Sequence, residues 1–551
     1  MPARSPPILP RDPTRPAAAR RRAVEEGVAL TGDGGPGHLR RLAVLDLGSN
    51  SFRLVIFTWV RGRWWKRTDE VHEAVRLGQG LEASGILEPE PTRRALDTVD
   101  LFAHFCRAIG VDDVRTVATS AVRDAGNQRE FLERVRERTG LEVRVLAGEE
   151  EARYGYLAVV NSTTLADGVA LDIGGGSLQL VQVTRRRALD PRSWPLGAVR
   201  MTERFLPGAR TKRKQVRALR EHVREELASA RWLAGASARN GRLAGIGGAL
   251  RNLATAAQLA AELPSFGVQG FALTRGALGD LIDLFASLPT AERGKVPGIK
   301  PERGDLILAS AVVVEAVMEI GGFDAIEVSD AGLREGILFE TLLEDRDPPL
   351  FEDVRRASVV NLATQYHADF THTNHLARLA LEMWDALAAV GMHGGGDEER
   401  ELLWAAAILH DIGMAVDYDD HHKHSRYLIL NAGLPGFTRR QTALVGQMAR
   451  YHRKGTPGMR EFAPLAERGD EALLNRCAAV LRVAEQLERA RDQSVRATHV
   501  EVRDGELELQ LEAEGDVRVA RWAAEKQRDV FERAFGRGLV VRDLDYEGSA
   551  K

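Results

Sequence analysis

From Arg41 the hydrophobic pattern reads as two strands around a polar turn, "RLAVLDLGSNSFRLVIFTWV". The same figure returns at Ala170–Val183, "ALDIGGGSLQLVQV", where three glycines and a serine separate the apolar runs. Helical stretches such as "REFLERVRERTG" alternate with short β-rich runs such as "VRTVATS" and "EVRVLAG", and the alternation continues to about Leu343. The segment "EDRDPPLFEDVRR" reads as a linker, because Pro348 and Pro349 interrupt two charged stretches. From about Val354 to Asp492 the pattern is nearly all helical, rich in Ala, Leu, His and Arg. From Thr498 a period of two returns in "HVEVRDGELELQLEAEGDVRVA", with "RDGE" as a hairpin turn. One helix, "RWAAEKQRDVFERAF", and a last strand, "GLVVRDL", complete the pattern.

The two strand–turn–strand figures are an internal repeat. "VLDLGSNSFRLV" (44–55) superimposes on "ALDIGGGSLQLV" (170–181), matching Asp46 with Asp172, Gly48 with Gly174 and Ser51 with Ser177. Two copies of one unit predict two similar α/β lobes facing across a cleft. The expected division is a disordered basic tail over 1–39, lobe I over 40–157 and lobe II over 158–343. An all-α domain over 344–495 and a small α+β domain over 496–551 follow. A chain of 551 residues is too long for one core, which agrees with several domains.

Composition narrows the classes. The net charge of −3 gives no strong overall field, so an anion site has to come from local clustering of Arg and Lys. Two cysteines, Cys106 and Cys477, exclude a disulfide framework and a Cys-rich zinc site and fit a reducing cytosol. No apolar run approaches the length of a membrane helix, and the Pro-rich N-terminus has no secretory h-region. A cytoplasmic protein without a membrane partner is expected.

The repeated turns carry candidate chemistry. Successive Gly and Ser residues can aim several backbone N–H groups at one anion, and glycine lets a phosphoryl group approach closely. The candidates are Gly48, Ser49, Asn50 and Ser51 in one turn, and Gly174, Gly175, Gly176 and Ser177 in the other. Asp46 and Asp172 at the entrances can hold a hydrated Mg²⁺. A third cluster, "LAGIGGALRNLA" with Gly247 and Gly248, suits a phosphate at a helix N-terminus, although close helix–strand packing explains it equally well. The run Glu149–Glu151 reads as a solvated acidic run or as the acidic start of a helix.

"LDLGSNSFRLVIF", "LDIGGGSLQLV" and "IGGALRNLA" resemble the phosphate turns of the actin-like ATPase superfamily. More narrowly, they resemble the exopolyphosphatase and guanosine pentaphosphate phosphatase family, together with "VATSAVRDAGN", "LAGEEEARYGYL", "PLGAVRMTERF", "KPERGDLILASAVVVEAVM" and "VSDAGLREGIL". The resemblance implies two ribonuclease H-like lobes. It also implies that Glu151 is the general base for an attacking water, Asp172 the metal-side carboxylate and Arg123 a phosphate contact. Arg53 reads as a further phosphate contact or as a surface arginine. The chain departs from the family at Gln179, where the family has Glu, and at Ala249, where it has Thr. Gln179 can orient a water but brings neither charge nor basicity.

In the helical region, His410-Asp411 with His375 upstream resembles the HD-type phosphohydrolase domain, and Glu485 stands where that superfamily has Asp. The resemblance implies either a second divalent-metal site at His375, His410, Asp411 and Glu485 or a module serving dimerisation and substrate-channel formation. Arg185–Arg187, "RTKRKQVRALR", "HHKHSRYLI" and "ARYHRK" are candidates to guide a polyanion. No aromatic interleaving supports nucleic acid. The expected function is an exopolyphosphatase that releases orthophosphate from inorganic polyphosphate with Mg²⁺. The alternatives are a guanosine pentaphosphate 5′-phosphohydrolase of the stringent response, a sugar-kinase-like transferase, or a polyphosphate-binding regulator with weakened catalysis.

Overall fold

The computed structural model describes residues 38–544. Of the tail expected to be disordered, residues 1–37 therefore lie outside the described residues.

The first lobe is a five-stranded sheet in the order β3-β2-β1-β4-β5. Its strands are β1 (Arg40–Leu47), β2 (Phe52–Val60), β3 (Trp64–Glu73), β4 (Asp113–Ala118) and β5 (Val143–Val145). β1, β2 and β3 form an antiparallel meander, while β4 pairs parallel with β1 and β5 parallel with β4. The second sheet contains β6 (Gly168–Ile173), β7 (Leu178–Thr184), β8 (Arg187–Trp194), β9 (Arg242–Ile246), β10 (Phe271–Thr274) and β11 (Ala325–Val328). In the order β8-β7-β6-β9-β11 it repeats the first plan, an antiparallel meander followed by two parallel additions. Only the antiparallel edge strand β10 is extra. The sequence repeat is thus a repeat of sheet topology. β1 and β6 are central and almost wholly buried, so they read as continuous apolar runs.

The helix Gly148–Ser162 and the helix Leu333–Leu342 pack together between the sheets. Their buried residues, Leu157 and Leu338 among them, share one core with Val44 of β1 and Ala170 of β6. The backbones come very close here, since a Cβ on Gly336 would lie 2.1 Å from the carbonyl of Tyr154. The residues read as a linker are docked. Phe351 N–H donates to Asn161 Oδ1 at 2.8 Å, Asn161 Nδ2 donates to Pro349 O at 3.0 Å, and the Phe351 ring stacks on Trp65 at 4.9 Å.

The region after residue 353 is helical up to Leu487, as its pattern predicts. A three-stranded sheet follows, with β12 (Val495–Arg503) antiparallel to β13 (Glu506–Ala513) and β14 (Leu539–Asp543) parallel to β13. Two expectations change. The single C-terminal helix is two, Arg518–Glu525 and Arg528–Phe535, with a break at Lys526 and Gln527. The C-terminal sheet also has no core of its own. Leu507, Leu509 and Val541 belong to the same buried cluster as Trp384, Leu403 and Leu481 of the helices, because one face of so small a sheet needs a partner to bury it.

Candidate active site

The two repeated turns meet across one cleft. A Cβ on Gly175 would lie 3.1 Å from the amide nitrogen of Asn50, so the second turn sits directly on the first. Gly176 faces away from the cleft, toward the hydroxyls of Ser49 and Ser120, and a Cβ there would come within 2.3 Å of Ser120 Oγ. Gly197 closes the back of the same turn, its Cβ position 2.2 Å from backbone atoms of Gly176 and Ser177. Gly175 and Gly176 therefore serve inter-turn packing, while a Cβ on Gly174 would meet only Ser177 O of its own turn, at 3.4 Å. Gly48, Ser49, Asn50, Ser51, Gly174, Gly175 and Ser177 line the cleft as the sequence predicts, while Gly176 does not. The third turn lines it as well. Gly247 has φ 120° and lies so close to the end of β6 that a Cβ would stand 2.7 Å from Ile173 O, which leaves glycine as the fitting residue. This turn opens the helix Gly248–Ala260 beside Asp172.

The helix Gly148–Ser162 sorts the three glutamates by its turn. Glu149 is exposed, and Glu150 accepts from the Ala147 N–H at 3.0 Å and pairs with Arg144. Glu151 is 5% exposed and lines the cleft. Its Oε2 accepts from Arg123 Nη1 at 2.9 Å, and its Oε1 from Ser177 Oγ at 3.3 Å. Burial pushes the Glu151 carboxyl up to about 7, against the pull of Arg123 and with help from Asp172 and Asp46. A carboxylate held near neutrality at a cleft wall is suited to accept a proton from water.

Arg123 departs from its expected role. Its Nη1 is divided between Glu151 and the Leu146 carbonyl, and it does not line the cleft. Its contacts are to Glu151, the Leu146 carbonyl and Asp124. Gln179 is also behind the wall, bonded to Ser177 and Ser193. The cationic lining comes instead from Arg53, Arg251, Arg303 and Arg334. Arg53 is a cleft residue rather than a surface one, bonded to Glu70 at 2.9 Å. Burial first, and then the neighbouring Arg334 and Arg251, lowers it to about 9, and burial lowers Arg303 to about 10. This mutual repulsion of cations is relieved by a polyanion. Sequence reading missed the other three arginines. Each is a single arginine close to a glycine, in "IGGALRN", "KPERGD" and "AGLRE", and only the fold brings them together.

Asp46 and Asp172 stand at the cleft floor. Asp46 gives one oxygen to Arg334 Nη1 at 2.9 Å, leaving the other oxygen free of that pair. Asp172 makes no side-chain hydrogen bond to any described residue, and burial together with the nearby Asp46 raises it to about 6. A buried carboxylate whose proton affinity is raised by a second carboxylate beside it fits a hydrated dication.

The helical region holds a second cluster, with different members from those expected. His375 turns away, bonded to Val495 O at 3.0 Å and facing Glu488. His372 takes its place. Ligand atoms of His372, His410 and Glu485 lie within 4.8 Å of one another, as do those of His410, Asp411 and His452. His410 and His452 each bond through Nδ1 to the carbonyl three residues earlier, both at 2.7 Å, which turns Nε2 inward; that of His452 meets His421 Nε2 at 3.2 Å. His410 Nε2, Glu485 Oε2 and both ring nitrogens of His372 have no hydrogen bond among the described residues. Buried imidazoles and carboxylates converging at 3.3–3.5 Å in this way fit a divalent transition metal. His421 and His452 are buried in this cluster, so they do not face an anionic chain. Of the other expected guides, Arg186 is engaged on the carbonyls of Val160 and Phe351 and Arg220 on Glu315, while Arg185, Arg187, Arg210, Lys212, Arg213 and Lys214 are exposed.

The doubled sheet and the charged cleft between its halves define a two-lobed protein that handles phosphoryl groups. Residues 66–345 match the Ppx/GppA phosphatase family and residues 354–526 match domain III of that family, and the chain belongs to it. It is 28% identical over 487 residues to a guanosine-5′-triphosphate,3′-diphosphate pyrophosphatase of Vibrio vulnificus, covering 86% of this chain and 90% of that protein. It is 31% identical over 309 residues to exopolyphosphatase 1 of Mycobacterium bovis, covering 56% of this chain and 90% of that one. The crystal structure of an exopolyphosphatase from Cytophaga hutchinsonii aligns with a TM-score of 0.50 and 25% identity, over 55% of this chain and 98% of that chain. No helix among the described residues is long and apolar enough to cross a membrane.

Proposed function

We propose that the chain is an exopolyphosphatase, which hydrolyses the terminal phosphoanhydride bond of inorganic polyphosphate. The observation that carries the reading is Glu151, a buried carboxylate with its pKa near 7, facing a cleft lined by two Gly/Ser turns and four arginines. In this reading the turn amides and the arginines hold the terminal phosphoryl group and neutralise its oxygens. Glu151 Oε1 takes a proton from the attacking water, while Arg123 and Ser177 fix the carboxylate. Mg²⁺ would be held by Asp172 and the free oxygen of Asp46, where it supplies charge neutralisation. Among the described residues lining the cleft there is no aromatic ring on which a purine would stack, which favours polyphosphate as substrate. The second reading, 5′-phosphate release from guanosine pentaphosphate, is favoured by the Vibrio relative that spans most of the chain. We further propose that the cluster of His372, His410, Asp411, His452 and Glu485 binds a divalent transition metal.

The test is phosphate release by the purified protein from long-chain polyphosphate, guanosine pentaphosphate and ATP, each with Mg²⁺. Release from polyphosphate, abolished in Glu151→Gln, is expected. Absence of release from both of the first two substrates refutes the hydrolase reading.

A further inference from the structure

The repeat places Arg53 opposite Asp46 on one hairpin and Gln179 opposite Asp172 on the other. Gln179 is only 2% exposed, between Asp172 on one neighbouring strand and Ser193 on the next. Its Nε2 donates to Ser177 Oγ at 2.7 Å and to Ser193 Oγ at 3.1 Å. A hydroxyl has one hydrogen, and one that accepts from an amide keeps that hydrogen for another acceptor. Ser177 gives it to Glu151 Oε1. Donation thus runs from Gln179 through Ser177 to Oε1 of Glu151, whose Oε2 accepts from Arg123 on the other side.

We propose that Gln179 is a positioning residue for the reaction, acting through Ser177 to hold Oε1 of Glu151 toward the cleft. The proposal rests on the reading of Glu151 as the base. It gives the neutral side chain at this position a role of its own. A carboxylate at 179 can only accept, so it would draw the Ser177 hydrogen to itself. Oε1 of Glu151 would then meet a lone pair of Ser177 and a further negative charge. The charged groups facing Glu151 are Arg123 from the short helix Ser120–Arg123, Asp172 from β6 and Asp46 from β1. Gln179 adds no charge to this set, so it acts by hydrogen-bond direction alone.

The experiment compares wild type, Gln179→Glu, Gln179→Leu and Glu151→Gln by pH profiles of kcat and KM for polyphosphate, with crystal structures of the wild type and the two Gln179 variants. Gln179→Glu is expected to move the acid limb of kcat up by about one pH unit, as a lost donor and an added like charge require. Gln179→Leu is expected to lower kcat about tenfold with KM unchanged, as loss of positioning without loss of substrate contact requires. In the Gln179→Glu crystal, Ser177 Oγ is expected to leave Glu151 and bond the new carboxylate. The proposal alone is overturned if wild type is active and Glu151→Gln dead while both Gln179 variants keep the wild-type profile. Turnover by Glu151→Gln overturns the reading of the base and the proposal with it. If no form releases phosphate, the crystals decide, and Ser177 still bonded to Glu151 in Gln179→Glu overturns the proposal.

Discussion

Arg334 Nη1 lies 2.9 Å from a carboxylate oxygen of Asp46, a residue 288 positions earlier in the chain. The pair ties the helix Leu333–Leu342 to β1, and Arg334 stands where the repeat alone leaves an open carboxylate. In the proposed function it couples charge balance at the cleft floor to the binding of the substrate anion. When a phosphorylated chain enters, Arg334 can serve both partners.

Arg334→Met is therefore expected to raise the KM for polyphosphate about tenfold, the loss of one charge-assisted contact in a partly buried site. It is also expected to flatten the dependence of KM on salt. Steady-state phosphate release at two ionic strengths measures both. An unchanged KM removes Arg334 from the binding site.

Glu151 must be ionised to accept a proton, and burial pushes its carboxyl up to about 7. The kcat of the wild type is expected to rise as pH increases through about 7 and to level off above it. Stability has the opposite sign. The folded value lies above the ordinary 4.5, so Glu151 favours the fold below about pH 4.5 and that contribution is lost as pH rises through about 7. Glu151→Gln, which is uncharged, is expected to be more stable than wild type at pH 8 by up to about 3 kcal/mol and to match it at pH 4.5. Thermal unfolding at the two pH values tests this.

Gly197→Ala is expected to cost more than about 3 kcal/mol or to prevent folding, since its Cβ would fall 2.2 Å from main-chain atoms of Gly176 and Ser177. Gly276→Ala is the control. It lies in the helix Arg275–Ser287 with open space around its Cβ, and a gain of up to about 1 kcal/mol is expected. Denaturant titration of both variants separates contact from composition. Equal effects would show that Gly197 is not a packing residue.

Elemental analysis of the purified chain is expected to find a divalent transition metal that His410→Ala loses. Added Zn²⁺ or Mn²⁺ is expected to raise the Tm of metal-stripped wild type and not that of His410→Ala. A wild type without metal, whose Tm ignores both ions, rejects the site.

Much of the fold was legible because strand periodicity and repetition are local properties. The match of Asp46 to Asp172 was visible in twelve-residue windows, and the structure returns it as two sheets of the same plan. Glu151 was found by resemblance, and its neighbours Glu149 and Glu150 are separated from it only by which face of the helix each occupies. The errors share one cause. Arg123, expected at a phosphate, faces Glu151, while Arg334, given no role, lines the cleft, because what an arginine meets depends on what the fold sets before it. His375 was chosen over His372 for the same reason. The two stand three residues apart on one helix, and only the packing of the helix Phe370–Ala389 against Val495 and Glu488 decides which one faces His410.

The sequence by itself determined the lobed α/β plan, the paired Gly/Ser turns and the carboxylates beside them, since these depend on residue type and near-neighbour spacing. Tertiary structure alone decided the cationic lining, the bonded chain from Gln179 to Glu151 and the elevated proton affinity of Glu151. Those are properties of distance and burial between residues far apart in the chain, and no local pattern encodes them.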